Sequence, residues 1–351
     1  MTKMIKLSLA AAVAVSALTT SAAAGSLEDA VKDTTISGKA LIGYNYKKVG
    51  TVSSNQTEYD FDVTLTTKVN DTISFTSGIQ ADHEVSIDAD QATDDAKKGV
   101  MTLTKLYFTA KTDVATVMIG KQTQPTPFLD DERGDGVVAL IPAGPVTIAA
   151  GHFTGMNGYS AGDINAAAVI GTAGPVNASL WYTSYANIID GYSLNVNGVA
   201  GPVKVDFTYS AAQATGAETE SLAKLIVTGK VANVNLLAAY GMTNQTTAPR
   251  GLGVDWEGTD AKTNFGIDQL ALDGLNDASA ILVGASYTMG KTTVGAKYLT
   301  VDLNAGSNAN ELDVNVAYAM SKNFSVTGLY SDTNNVGGDD SRMELSLNYK
   351  F

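Results

Sequence analysis

The densest cluster of charged side chains in the sequence lies between Phe128 and Gly136. It holds four carboxylates and one guanidinium, those of Asp130, Asp131, Glu132, Arg133 and Asp135. Carboxylates that line a narrow water passage attract cations and repel anions, and low-dielectric walls strengthen their field. On an ordinary solvated loop the same residues have no such effect. What this cluster does therefore depends on the elements that hold it.

Side chains suited to covalent or acid–base catalysis are scarce. The chain has no cysteine, and its two histidines are His83 and His152. Asp82 and Glu84 flank His83, but adjacent residues of a strand point to opposite faces, so these three do not converge on a metal ion. An outer-membrane lipase needs a serine, a base and an orienting group that meet at one place. The sequence predicts no enzyme.

A second acidic segment runs from Pro249 to Asp277. It lacks the Asp-x-Asp-x-Asp-Gly spacing of a calcium-binding loop. A connection this long is uncommon without a purpose. The sequence leaves two roles open, a cover over a pore mouth and a contact with a neighbouring subunit.

The elements around these clusters have a period of two. In the last ten residues, Met343, Leu345, Leu347, Tyr349 and Phe351 alternate with polar residues. Between Glu58 and Lys68, Asp60 and Asp62 fall on the face opposite Tyr59 and Phe61. Carboxylates inside a strand are tolerable only where that face is wet. The pattern is typical of a transmembrane β-barrel, with lipid on one face and a polar lumen on the other.

About eighteen such strands can be placed between residues 36 and 351. Short connections alternate with longer polar ones, the predicted long ones being 49–56, 85–98, 124–135, 247–278 and 333–341. Short periplasmic turns that alternate with long outer loops are typical of outer-membrane barrels. We predict an all-β antiparallel barrel of roughly sixteen to eighteen strands, with eighteen favoured, which is wide enough to enclose an aqueous channel.

The amino terminus predicts secretion. Lys3 and Lys6 precede an apolar run from Leu7 to Leu18, which is too short to span a membrane as a helix, and small residues follow up to Ala24. We expect residues 1–24 to be a signal peptide and residues 25–351 to form one barrel in the outer membrane. With 36 acidic and 23 basic residues the net charge is −13, so nucleic acid is not an expected partner.

Three stretches resemble known porins. The alternating end with Tyr349 and Phe351 resembles the signal by which outer-membrane barrels are recognised for assembly. The tract from Ser26 to Gly38 resembles the start of the major outer-membrane porins of Campylobacter-type bacteria, and Ile119–Pro125 with its acidic continuation resembles the third loop of general porins. The resemblance implies a homotrimer, a third loop folded into each lumen and, in some relatives, a calcium ion whose ligands find no match in this sequence.

From this resemblance and the strand phase we predict the following sites. The pore constriction consists of Asp130, Asp131, Glu132, Arg133 and Asp135. The charged lumen wall consists of Lys39, Asp60, Asp62, Lys68, Lys297, Asp313, Arg342 and Glu344. No cofactor is expected, and calcium is implied by the resemblance alone.

The predicted function is passive diffusion of small hydrophilic solutes and ions with a weak preference for cations. The expected partners are lipid, lipopolysaccharide, the barrel assembly machinery and the solutes themselves. A substrate-selective porin, for example for anions, and a structural or adhesive surface barrel remain alternatives.

Overall fold

The alternating sequence folds into strands throughout the part of the chain that the computed structural model describes. These residues are 33–86, 100–154, 162–246, 253–257, 261–303, 308–335 and 338–351, without the side chains of 82–86, 100, 335, 338 and 339. The predicted signal peptide, the tract 26–32 and the side chain of His83 lie outside them. The described residues contain no helix long and apolar enough to cross a membrane.

Eighteen strands follow one another along the chain. They are β1 (Thr34–Val49), β2 (Val52–Lys68), β3 (Ile73–Ser86), β4 (Val100–Lys111), β5 (Thr116–Thr123), β6 (Arg133–Ala143), β7 (Val146–Phe153), β8 (Ile164–Ala173), β9 (Val176–Tyr185), β10 (Ile189–Ala200), β11 (Val203–Ala214), β12 (Thr219–Val231), β13 (Val234–Thr243), β14 (Ser279–Met289), β15 (Thr292–Asp302), β16 (Asn308–Ala319), β17 (Phe324–Asn335) and β18 (Gly338–Lys350).

The strands close into one antiparallel barrel. Each strand pairs with its sequence neighbours, and β1 pairs with both β2 and β18. The seam is completed by Phe351, whose backbone N–H and carbonyl bond to Gly38 at 3.1 and 3.0 Å. A closed sheet leaves no edge strand with unpaired backbone groups. The prediction of an eighteen-stranded barrel is confirmed.

The short connections lie together at the barrel end where β1 begins and β18 ends. Three of them repeat Ala-Gly-Pro, and their glycines Gly144, Gly174 and Gly201 have φ values of 67°, 59° and 60°. Glycine adopts this left-handed conformation without steric cost, and the proline that follows cannot extend the ladder. The repeated tripeptide therefore sets tight turns at this end, which we call the short-turn end; the opposite end is the loop end.

Two predicted long loops are wrong. β1 and β2 are joined by residues 50–51 alone, and Val49 pairs directly with Val52. Likewise β17 continues to Asn335 and β18 begins at Gly338, so most of the predicted loop 333–341 is strand. These strand ends project beyond the apolar band of the wall, where both faces meet water, so their polar composition resembles that of a loop.

Candidate functional site

The third connection at the loop end, residues 124–132 (the third loop), folds into the barrel. Phe128 and Leu129 at its tip are completely buried. Phe128 lies against the inward face of β10, where a Cβ on Gly191 would stand 2.7 Å from its Cζ. Only glycine leaves room for the ring at that wall position. The predicted inward fold of the third loop is confirmed.

Residues 244–278, between β13 and β14 (the seventh loop), also enter the lumen. Phe265 and Leu272 pack against the inward face of β13, where a Cβ on Gly241 would approach them to 2.6 and 2.8 Å. Farther round the barrel, Glu311 on β16 accepts hydrogen bonds from the backbone amides of Gln269 and Leu270 at 2.7 and 2.6 Å. The seventh loop therefore crosses the lumen instead of covering its mouth.

The tip of the seventh loop reaches the wall at β18. The Arg342 guanidinium donates to Asp268 at 3.0 Å and, through its other terminal nitrogen, to Glu344 at 3.0 Å. Burial raises the pKa of Asp268; Asp313 and Glu344 act in the same direction, and Arg342 opposes them. Burial likewise raises the pKa of Asp273 in the same loop, against hydrogen bonds from the Val254 and Asp255 amides.

The two loops are bonded to each other. The Lys262 ammonium lies 2.9 Å from a carboxylate oxygen of Asp130, and the Lys262 amide donates to the other oxygen at 2.8 Å. The Asp131 amide donates to Glu257 at 2.7 Å. Below these polar contacts, the rings of Phe128 and Trp256 stack with centroids 4.5 Å apart. The third and seventh loops thus form one body across the lumen, the two-loop partition.

An apolar core fixes the partition to one side of the barrel. Its buried loop side chains include those of Phe128, Leu129, Val254, Phe265 and Leu272, and its buried wall side chains include those of Phe153, Ile164, Leu222, Leu299 and Val301. Burial of side chains this large stabilises the arrangement by about 1.5–3 kcal/mol each. The partition is therefore a packed element of the fold.

The opposite wall is polar. Lys39 and Asp60 form an ion pair at 2.5 Å, and Gln80 donates to the same carboxylate at 3.2 Å. Lys105 donates to Thr64 at 3.1 Å. These side chains on β1 to β4 bond to one another, which leaves a charged, hydrogen-bonding surface facing the partition across the lumen.

The register places most of the predicted wall residues on the inward face. Lys39 stands beside Asp62 on that face, Lys297 beside Asp313, and Glu344 beside Asn45. Arg342 is also inward, although it bonds to the seventh loop. Lys68 differs, because it lies at the short-turn end and pairs with Asp71 at 3.0 Å.

The predicted constriction residues separate into two groups. Asp130, Asp131 and Glu132 belong to the third loop and so to the partition, and Arg133 follows as the first residue of β6. The placement of Asp135 at the constriction is wrong. Asp135 pairs with Lys121 at 3.3 Å on the outward face that also carries Ile119. Because β6 begins three residues earlier than predicted, the alternation turns this carboxylate outward.

Four polar residues of the partition and its anchors were not among the predicted sites: Glu257, Lys262, Asp268 and Glu311. A sequence signal existed in the apolar residues of the seventh loop. Trp256, Phe265 and Leu272 interrupt a segment that a solvated loop would leave polar, and large apolar side chains indicate burial.

The described part of the chain shows a site neither for metal binding nor for hydrolysis. Among the described residues, no three His, Asp or Glu side chains are grouped to hold a metal ion, so the calcium implied by the resemblance has no set of ligands there. Residues 158–162 read Gly-Tyr-Ser-Ala-Gly, the Gly-x-Ser-x-Gly pattern of α/β-hydrolases. That pattern requires a strand-to-helix turn, whereas this stretch connects the antiparallel strands β7 and β8 and lies mostly outside the described residues.

Comparisons with known proteins agree with this architecture. Among solved structures, the chain is similar to Pseudomonas aeruginosa OccK5 (OpdH), with 12% identity, a TM-score of 0.72 and coverage of 91% of this chain and 99% of that one. P. aeruginosa OccK3 (OpdO) has 15% identity and a TM-score of 0.74, with coverage of 93% of this chain and 97% of that one. Acinetobacter baumannii OccAB4 has 13% identity and a TM-score of 0.71, with coverage of 91% of this chain and 98% of that one. At sequence identities this low, the structural similarity shows a shared fold alone.

A search of curated proteins found no match. The family model of Gram-negative porins matches residues 9–339. This match is to Gram-negative porins as a whole and does not single out the Campylobacter-type group. Because it spans most of the chain and accords with the closed barrel, the chain belongs to the Gram-negative porin family and is a porin of the outer membrane.

Proposed function

We propose that this porin is a passive diffusion channel for small hydrophilic solutes and ions, with a weak preference for cations set at the two-loop partition. The observation that carries the proposal is the charge of the partition. The third loop has three acidic residues and no basic one, and the described part of the seventh loop has five acidic residues and one basic one. Solutes that cross the barrel must pass beside this negative surface.

The field of the partition is strengthened by its surroundings. Its carboxylates stand on a packed apolar core, and a low-dielectric support focuses their field into the water beside it. Part of the charge is neutralised internally, because Asp130 pairs with Lys262 and Asp268 pairs with Arg342. We therefore assign the selectivity mainly to Asp131 and Glu132 in the third loop.

Zero-current potentials in a salt gradient test this assignment. Neutralising the pair in an Asp131→Asn, Glu132→Gln double variant should move the potential toward the non-selective value. Conductance should change less, because side-chain volumes are nearly kept. In the wild type the preference should weaken as salt rises, since charges are screened over roughly 10 Å at 0.1 M.

Asp190→Asn is the matched control, because it removes an acidic residue near the loop end from the outward face of β10. If this control shifts the potential as much as the double variant does, the third loop does not set the selectivity. A potential of the opposite sign in the wild type would favour an anion-selective porin. Absence of any conductance would favour a structural or adhesive barrel.

A homotrimer is also part of the proposal, and the outward face of β5–β8 suits its interface. Near the loop end this face carries the Lys121–Asp135 pair and a contact of 2.9 Å between His152 and Asn165. Below them stand the small residues Ala139, Ala150 and Ala167. Polar pairs and small side chains favour contact with protein over contact with lipid.

Cysteine cross-linking tests the interface, since the native chain has no cysteine. Ala150→Cys should give covalent dimers in outer membranes, whereas Ala296→Cys, outward-facing on β15, should not. Cross-linking at Ala296 alone would place the interface elsewhere.

The remaining parts of the proposal concern export. Sequence patterns alone support four of these parts. They are cleavage after Ala24, recognition of Tyr349 and Phe351 by the assembly machinery, a surrounding of lipopolysaccharide, and kinship with Campylobacter-type porins. Mass determination of the mature protein tests the cleavage site.

A further inference from the structure

A cavity of about 720 Å³ lies in the lumen beside the third loop. Its wall is formed by inward-facing side chains of β9–β12, including Trp181, Ser193, Asn195 and Thr208. Ser179, which also lines it, is the fourth residue of β9 counted from the short turn. The cavity therefore lies on the short-turn side of the partition, and its size falls within the range of small-molecule sites.

The charged groups around the cavity are occupied by partners. Lys224 donates to the carbonyl oxygens of Lys262 and Asn264 at 2.5 and 2.6 Å. Asp206 accepts from Asn195 at 2.7 Å and lies 3.6 Å from the Lys204 ammonium. The charged residues that line the cavity are two acidic, Asp130 and Asp206, and two basic, Lys224 and Lys262, so their formal charges sum to zero. The lining therefore carries no excess of either charge that would favour an anion or a cation over a neutral solute.

The neutral groups of the cavity offer a different chemistry. Gln124 lines the cavity and is completely buried, and in the described structure neither its amide nitrogen nor its amide oxygen has a hydrogen-bond partner. An unpaired buried amide is costly. A hydroxyl group both donates and accepts, so it can satisfy either end of the amide, whereas a carboxylate cannot donate and an ammonium cannot accept.

Trp181 adds an aromatic surface to this polar wall. It is half-buried, and its strand register, opposite Ala168 and Ser193, turns it into the lumen. An indole ring packs against apolar C–H surfaces while its N–H donates a hydrogen bond. A molecule with a C–H face and a rim of hydroxyls matches this combination.

We propose that the cavity is a binding subsite for neutral polyhydroxylated solutes of monosaccharide size, with Trp181 as the platform and Gln124 as a hydrogen-bonding partner. The proposal rests on the proposed channel function and specifies a solute class for it. Binding beside the partition holds such solutes on the path through the barrel and makes their passage saturable.

Single-channel recordings with three solutes of nearly equal size test the subsite. Glucose is neutral, glucuronate carries a carboxylate on the same pyranose ring and glucosamine carries an ammonium. Glucose should block the ion current saturably, and the two charged solutes should block less at the same concentration. Trp181→Ala should weaken the glucose block roughly three- to tenfold. Gln124→Met, which keeps the volume and removes the polar groups, should also weaken it.

Leu180→Ala is the control, since Leu180 is the outward neighbour of Trp181 on the same strand and should leave the block unchanged. If Trp181→Ala does not fold, the Gln124→Met variant and the comparison of solutes on the wild type still test the subsite. Equal or stronger block by glucuronate or glucosamine would overturn the proposal, as would a glucose block that survives both lumen variants. A barrel that conducts ions without any solute block refutes the subsite alone, whereas a barrel that does not conduct refutes the channel function.

Discussion

Glu311 anchors the tip of the seventh loop, and its removal should free the loop while the barrel stays intact. Its carboxylate is fully buried and accepts three hydrogen bonds, from the amides of Gln269 and Leu270 and from the Ser331 hydroxyl at 2.8 Å. The backbone ladder of β16 does not depend on this side chain. Glu311→Ala therefore acts on the loop.

The magnitude follows from the groups left without a partner. Each buried backbone N–H that loses its acceptor costs about 1–3 kcal/mol, so the two amides together cost about 2–6 kcal/mol. A midpoint of about 4 kcal/mol lowers the ratio of docked to undocked loop roughly a thousandfold. Glu311→Gln keeps one acceptor oxygen and should cost roughly half as much.

Single-channel conductance and amide hydrogen exchange report the effect. Glu311→Ala should raise the conductance and the current noise and should speed exchange in residues 261–275, with Glu311→Gln intermediate. Leu312→Ala, at the adjacent outward position, is the control and should leave both unchanged. Wild-type conductance and exchange in a folded Glu311→Ala barrel would refute the role of Glu311 as an anchor.

Three further predictions concern the wall, the chain end and pH. Deleting Phe351 should lower the amount of folded barrel, because its backbone closes the seam at Gly38; heat-modifiable mobility measures this, and an unchanged yield would count against it. A lysine at Leu345 should cost about 2–4 kcal/mol in lipid folding titrations, whereas one at the lumen-facing Asn348 should cost much less; equal costs would reverse our assignment of the faces. Burial raises the pKa of Asp268, so the docked loop binds a proton more readily than the undocked loop. Docking should therefore be strongest below the ordinary carboxyl pKa of about 3.9, and it should weaken as the pH rises through the raised pKa of Asp268. Exchange of 261–275, corrected for intrinsic rates, should show this trend, and Asp268→Asn should reduce it; an identical trend in that variant would contradict the assignment to Asp268.

The barrel was predictable because its signal is local. Alternation with a period of two identifies each strand, and glycine with proline identifies the short turns. The errors in strand boundaries lie where the composition of a segment does not match its environment in the barrel. The polar residues 53–56 form strand beyond the apolar band, and Asp135 lies inside β6 instead of before it. One shift in a strand boundary is enough to reverse the face of a side chain.

Contacts across the lumen were not predictable in the same way. The anchor between Glu311 and Gln269, the pair of Lys262 with Asp130 and the stacking of Phe128 on Trp256 join residues far apart in sequence. No local period records such contacts. The inward charges of the wall followed from alternation alone, whereas the bonding of Arg342 to the seventh loop required the folded loop.

Ion conductance of the purified native protein in a planar bilayer tests the central claim most directly. An open barrel with a partition across one side of its lumen should produce discrete conductance steps, with a zero-current potential in a salt gradient that indicates cation preference. Folded, membrane-inserted protein that produces no steps would show that the two-loop partition seals the lumen, and the account of this chain as a diffusion channel would be contradicted.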